Sequence, residues 1–316
     1  APASTSGRGS TTSTDSAYAR GMTDPTGRDA RLRRIEVGRR LAARYDQLRP
    51  DELAAGQDWS IDQMQTGLFL GTYSEAGIRR VLEHYGLVEL LAERGIERFE
   101  VEIDTSDPFL HVLRLREDDG DPVFLDLRAR TALGRDLGLG GRLAAMECFV
   151  VEWLSVENPH ADFGPDRPPL PGQRRPGLGL GPELEEVLVL AARRLGTAAL
   201  VSWPQWFHNA MLYHPRWMFA DPREEGRFAA LVRDLASVGL PRLAWAVHLG
   251  CVTDHRGQPF AWQPGPLVLP RTRDAFRHFE TPYYRATRFA TRTRSGFSLD
   301  EEALERALRE RGLELP

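Results

Sequence analysis

No lysine occurs among the 316 residues, so all 41 basic side chains are arginine. That absence removes whole reaction classes: no internal Schiff base, no lysine of a nucleotide-hydrolase phosphate loop, no kinase-type lysine. Cysteine is almost missing as well. Cys148 and Cys251 match no metal-ligand spacing and give no reason to pair, so a reducing cytoplasm is the expected location. No apolar run approaches the length of a bilayer span. Charge of one sign is not in excess either. With 45 carboxylates against 41 arginines the net charge is −4, which argues against nucleic acid as the principal partner and against a membrane surface.

What remains is the composition of an ordinary globular protein, 41% hydrophobic and 27% charged. Residues 1–28 are rich in Ser, Thr and Gly, lack the apolar centre of a signal peptide, and read as a disordered tail. Met22 opens a more ordinary stretch, so residues 1–21 are expected to be an added or processed extension. Residues 29–95 read as a helical segment, with helices predicted over Leu32–Leu48, around Ile61–Phe69, and over Glu75–Arg94 behind an N-cap at Ser74.

From Phe99 the period changes from helical to alternating. Phe99–Ile103, Phe109–Arg116 and Val123–Arg130 read as strands, the last two joined through Asp118-Asp119-Gly120-Asp121 as a hairpin. Cys148–Val156 is a nearly continuous apolar run, the pattern of a buried central strand. A Pro-rich stretch follows, read as a surface insertion ahead of a lid. Beyond residue 222 a C-terminal extension is expected: a helix at Glu225–Leu235, a strand at Leu243–Val252, and a turn at His255–Gln258 leading into Phe260–Trp262. Over Arg271–Arg294 seven arginines are mixed with aromatic rings, read as an exposed strand or loop face ahead of a surface for single-stranded nucleic acid. A capping box at Ser298–Glu301 opens a terminal helix suited to packing or to contact with a second copy.

The segment with most chemical content is Gln173–Phe219. Gln173-Arg174-Arg175-Pro176-Gly177-Leu178-Gly179-Leu180-Gly181 is a glycine-rich loop that runs straight into a helix at Pro182. Glycines let a backbone turn sharply and expose N–H groups, and a helix N-terminus adds partial positive charge, so the pair suits phosphate oxygens. Leu184, Val187, Leu188, Ala191 and Leu195 give the helix one apolar stripe, Gly196 is its expected C-cap, and Ala198–Val201 is a short buried strand. A second helix, from Gln205 to about His214, carries Asn209 and Tyr213 four residues apart on one face. Glu183, Glu185 and Glu186 beside the loop oppose anion binding unless their side chains turn away. The bland alternative for the glycines is a tight turn and close helix packing.

These residues resemble the GCN5-related N-acetyltransferase superfamily over roughly residues 97–221. Arg174-Arg175-Pro176-Gly177-Leu178-Gly179 fits its phosphate-loop frame Gln/Arg-x-x-Gly-x-Gly/Ala, and Asn209-Ala210-Met211-Leu212-Tyr213 resembles its next Asn…Leu-Tyr element. The sequence departs from the pattern where Met218-Phe219 replaces the closing Gly-Phe and where Pro215 interrupts the segment. The resemblance implies an α/β protein with a mixed sheet, an acetyltransferase-like core over residues 96–222 and a C-terminal extension over 223–316. It implies acetyl-CoA or another acyl-CoA as cofactor, with the diphosphate held by Arg174, Arg175 and the loop amides at Gly177, Leu178, Gly179 and Gly181, and the pantetheine arm at Asn209. Tyr213 would protonate the leaving thiolate, Glu152 or Glu157 would serve as base with His208 as third choice, and the acceptor would be a small-molecule or peptide amine. The rival expectation is a non-catalytic binding or assembly protein that keeps the fold. No metal site is expected, since His208 and His214 stand six residues apart.

Overall fold

The fold, a computed structural model, is described for residues 28–55, 67–118 and 122–315. The N-terminal tail, most of the helix expected around Ile61–Phe69 and the tip of the Asp118–Asp121 hairpin lie outside those residues.

Four strands form an antiparallel meander: β1 (Phe99–Asp104), β2 (His111–Glu117), β3 (Val123–Leu133) and β4 (Glu147–Val156). β5 (Ala199–Ser202) then joins parallel to β4. β6 (Met218–Phe219) and β8 (Leu267–Pro270) complete a seven-stranded sheet of order β1-β2-β3-β4-β5-β8-β6. β8 comes from the segment read as a C-terminal extension, yet it lies between β5 and β6, antiparallel to both. The class is therefore mixed α and β with a mostly antiparallel sheet. β7 (Val252–Asp254) pairs separately with β9 (Phe297–Leu299).

Alternation along the strands divides the core into two layers. Phe149, Val151, Leu200, Leu267 and Leu269 face one way, into the larger cluster. That side is covered by α3 (Glu75–His84), α4 (Leu87–Ala92), α5 (Gly181–Arg194), α6 (Phe207–Tyr213), α7 (Pro222–Leu235) and α8 (Leu240–His248), with α11 (Glu301–Glu310) at its margin. α1 (Arg28–Ala42) lies on α5, and the one-turn α2 (Pro50–Leu53) packs on α3. Cys148, Val150, Ala199, Val201 and Val268 face the other way and are covered by α9 (Arg273–Phe279) and α10 (Pro282–Arg294) through Ala275, Phe279 and Tyr284. Both cysteines are buried and unpaired.

Several elements follow their local signals. Ser74 Oγ accepts from the Gly77 N–H at 3.0 Å and caps α3. α5 ends in a Schellman motif, with Gly196 at φ +74° and Thr197 donating to Ala192 at 3.1 Å. Others differ from expectation. The helix predicted over Glu75–Arg94 is two helices, because Gly86 takes φ +75° between them. Leu243–Val252 is mostly helix, not strand: Leu243, Ala244, Ala246 and Val247 are buried with the 3–4 spacing of one helical face, and Pro241 occupies the first turn. The turn read at His255–Gln258 is present and closes on β7, with Gly257 donating to the Asp254 carbonyl and Asp254 to that of Gln258. Arg271–Arg294 holds two helices, each opened by a threonine whose hydroxyl accepts a backbone N–H, Thr272 from Ala275 and Thr281 from Tyr284. The terminal helix is capped by Asp300, which accepts from Ala303, while Ser298 belongs to β9.

Candidate functional site

The site is built where β4 and β5 part. Their parallel pairing runs from Cys148↔Ala199 to Val151↔Ser202 and then stops, although β4 continues to Val156. At the same point β4 bulges: Arg128 opposes Trp153 and Ala129 opposes Val151, so Glu152 is the extra residue. From Glu152 to Val156 the strand has β3 on one side and, among the described residues, no strand on the other.

The glycine-rich loop folds back along this open end. Asn158 N–H donates to the Pro176 carbonyl at 2.7 Å, Arg175 donates to the Pro159 carbonyl at 2.9 Å, and Arg174 meets Glu157 at 3.4 Å. A Cβ on Gly177 would lie 3.4 Å from the Val156 carbonyl, so the loop rests on the strand. Its carbonyls are taken up from behind: Arg94 donates to Leu178 at 2.8 Å and Arg33 to Gly179 at 3.1 Å. Its amides are not. Among the described residues no acceptor meets the N–H groups of Gly177, Leu178, Gly179, Leu180, Gly181 or Glu183. Gly179 takes φ +70° and Leu180 follows at φ −102°, a change of hand between neighbouring residues just before α5 opens.

The three glutamates of α5 are all engaged by arginines. Glu183 pairs with Arg33 at 3.2 Å. Glu185 faces Arg34 at 3.6 Å and Arg216 at 2.8 Å, and Glu186 faces Arg216 at 3.0 Å. All three carboxylates are buried. Burial pushes the Glu185 carboxyl upward, against Arg34 and Arg216, which pull it down. The layer between α1 and α5 is therefore ionic, and sequence reading missed it; the pairing arginines lie about 150 residues upstream and 30 downstream.

The predicted site residues are only partly brought together. Glu157 and both loop arginines meet at the end of β4. Glu152 reaches Arg130 at 2.7 Å, on the sheet face opposite α5. Asn209 and Tyr213 are half-buried on α6. The Tyr213 ring lies 5.2 Å from Trp217, which donates to Glu185 at 3.3 Å. Burial first, and then the Glu185 charge, push the Tyr213 phenol up to about 12, so it stays protonated at neutral pH. His208 is 3% exposed, its Nδ1 has no partner, and burial pushes it down to about 4. A neutral, enclosed imidazole of that kind is a poor candidate for the base. Among the described residues no cluster of His, Cys, Asp or Glu is arranged to hold a metal.

The Pro-rich stretch is anchored over the nearby aromatic groups. Trp245 donates to the Pro169 carbonyl at 2.8 Å, and Gly172, at φ +80°, packs so closely on Trp206 that no Cβ fits. An apolar cavity of about 70 Å³ lies elsewhere, lined by Leu113, Leu127 and Phe149 of the sheet and by Leu188, Ala191 and Arg194 of α5.

No protein-family model matches this sequence, and no curated protein matches it with significance. Among the described residues no helix is long and apolar enough to cross a membrane.

Proposed function

We propose that the chain is an acyl-CoA-dependent N-acyltransferase, transferring an acetyl or other acyl group to an amine. One observation carries the reading: a bulged β4 parts from its parallel neighbour beside a glycine loop whose amides from Gly177 to Gly181 meet no acceptor among the described residues. In this reading the loop amides and the α5 N-terminus hold the diphosphate of coenzyme A. The open edge of β4 beyond Val151 takes the pantetheine, with Asn209 alongside. A main-chain N–H of that edge polarises the thioester carbonyl. Glu157 is the preferred base over Glu152, because its partner Arg174 is exposed and the bond between them is long, at 3.4 Å. A bound diphosphate would compete for Arg174 and release the carboxylate. Tyr213 supplies the proton to the leaving thiolate.

Isothermal titration with acetyl-CoA tests the cofactor. Binding with a Kd below about 1 mM is expected, and absence of heat at that concentration removes the proposal. Gly179→Ala should abolish the heat while leaving the fold, because φ +70° is costly for alanine and a Cβ alters the cradle.

A second reading, a non-catalytic binding or assembly protein, is favoured by the pairing of both candidate bases, Glu152 with Arg130 and Glu157 with Arg174. Coenzyme binding without turnover on any amine would select it.

A further inference from the structure

The arginine-rich stretch at residues 271–294 takes no part in the proposed site. It holds seven arginines against two carboxylates, Asp274 and Glu280, in a chain whose total charge is negative. The structure makes it a helical pair on the sheet face opposite α5. α10 is fixed from beneath. Tyr284 is buried and its hydroxyl donates to the Phe219 carbonyl at 2.6 Å. Gly226 of α7 brings the two helices so close that a Cβ would stand 2.7 Å from the Arg288 carbonyl. Arg233 secures the C-terminal end through the carbonyls of Arg292 and Ser295, at 2.8 and 2.9 Å.

The outer side of this rigid pair carries rings and cations together. Phe276 is 50% exposed, Tyr283 68% and Phe289 67%. Arg285, Phe289 and Arg292 follow at i, i+4 and i+7, so one ring stands between two guanidinium groups on a single helical face. Arg288, on the flank of that face, is paired with the buried Glu225 at 3.4 Å. Among the described residues the one carboxylate within 4.0 Å of Arg285 is the exposed Glu280, at 3.7 Å, and of Arg277 the exposed Asp274, at 2.8 Å. Arg273, Arg292 and Arg294 are exposed and have no carboxylate within 4.0 Å among the described residues.

We propose that the exposed face of α9 and α10 binds single-stranded nucleic acid. Guanidinium groups match phosphate oxygens, and an exposed ring on a rigid helix can stack only on a base that is not already stacked within a duplex. A lipid surface is the poorer match: apart from Pro282 the aliphatic side chains of α10 are alanines, so beyond the rings of Tyr283 and Phe289 it offers little apolar area for insertion.

The test uses the full chain and fluorescence anisotropy with labelled single strands of about 20 nucleotides, oligo-U and oligo-dT, at about 50 mM salt. Binding is expected, with affinity falling as salt rises by a log–log slope of about −2 to −3, as for three or four neutralised phosphates. The two strands tell RNA from DNA, and binding of either supports the proposal. Phe289→Ala, a change at an exposed position, should weaken binding about ten-fold with an unchanged circular dichroism spectrum. Arg285→Ser with Arg292→Ser should flatten the slope by about one unit or more. No binding of either strand, undiminished binding by Phe289→Ala, preference for a duplex, or equal retention on phosphatidylserine-containing vesicles would each overturn the proposal.

Discussion

Individual side chains already separate structural duty from chemical duty. Arg216 is the sole ion-pair partner within 4.0 Å of Glu186 and one of two for Glu185, among the described residues. Removing one member of a buried ion pair strands the other charge in a poor solvent. Arg216→Ala should therefore cost about 2–3 kcal/mol, allowing for the partial exposure of the arginine, and lower the Tm by several degrees in a thermal melt. Tyr213 is a different case, since its hydroxyl meets no hydrogen-bond partner among the described residues. Tyr213→Phe should leave the Tm nearly unchanged and, if the phenol is the acid, lower kcat by about 10²-fold or more with little change in coenzyme binding. Undiminished turnover would remove Tyr213 from the chemistry. His208 sets an acid limit. Its neutral form is favoured in the fold, with the ring pushed from 6.5 to about 4 by burial and then by His248. Between those values the unfolded chain binds a proton that the folded chain refuses, so stability falls as the pH drops from 6.5 towards 4, by about 3 kcal/mol in all. His208→Gln should flatten that part of a Tm–pH profile.

Secondary-structure elements were legible where a local pattern was redundant. The alternation in Phe99-Glu100-Val101-Glu102-Ile103 and the apolar run Cys148–Val151 correspond to β1 and β4, and Pro182 and Gly196 bracket α5. Legibility failed where burial erased the pattern or composition concealed it. Leu243-Ala244-Trp245-Ala246-Val247 is buried at four of five positions, so its helical period does not show. The helices α9 and α10 were hidden by Thr, Tyr, Phe and His, whose helix propensities are weak, although Thr272 and Thr281 carried the cap signal. The glycine loop was readable, but the bulge at Glu152 was not, since a bulge is a property of two strands and not of one. Helix contact gives its own prediction. Gly226→Val puts a branched side chain where a Cβ alone would stand 2.7 Å from the Arg288 carbonyl of α10, and it should lower the Tm by more than its helix propensity explains.

At the scale of the molecule, the segment divided at residue 222 in the sequence reading is not divided in the sheet. β5 pairs with β4 on one side and with β8 on the other, from Ala199↔Pro270 to Ser202↔Leu267. About 65 residues separate β5 from β8 along the chain, so the strand that completes the central sheet is made late. During synthesis the growing chain must carry an unsatisfied β5 margin until Pro270 has left the ribosome. A shortened gene product ending near residue 222 would keep that sticky margin permanently and is expected to form inclusion bodies, where the whole polypeptide stays dispersed.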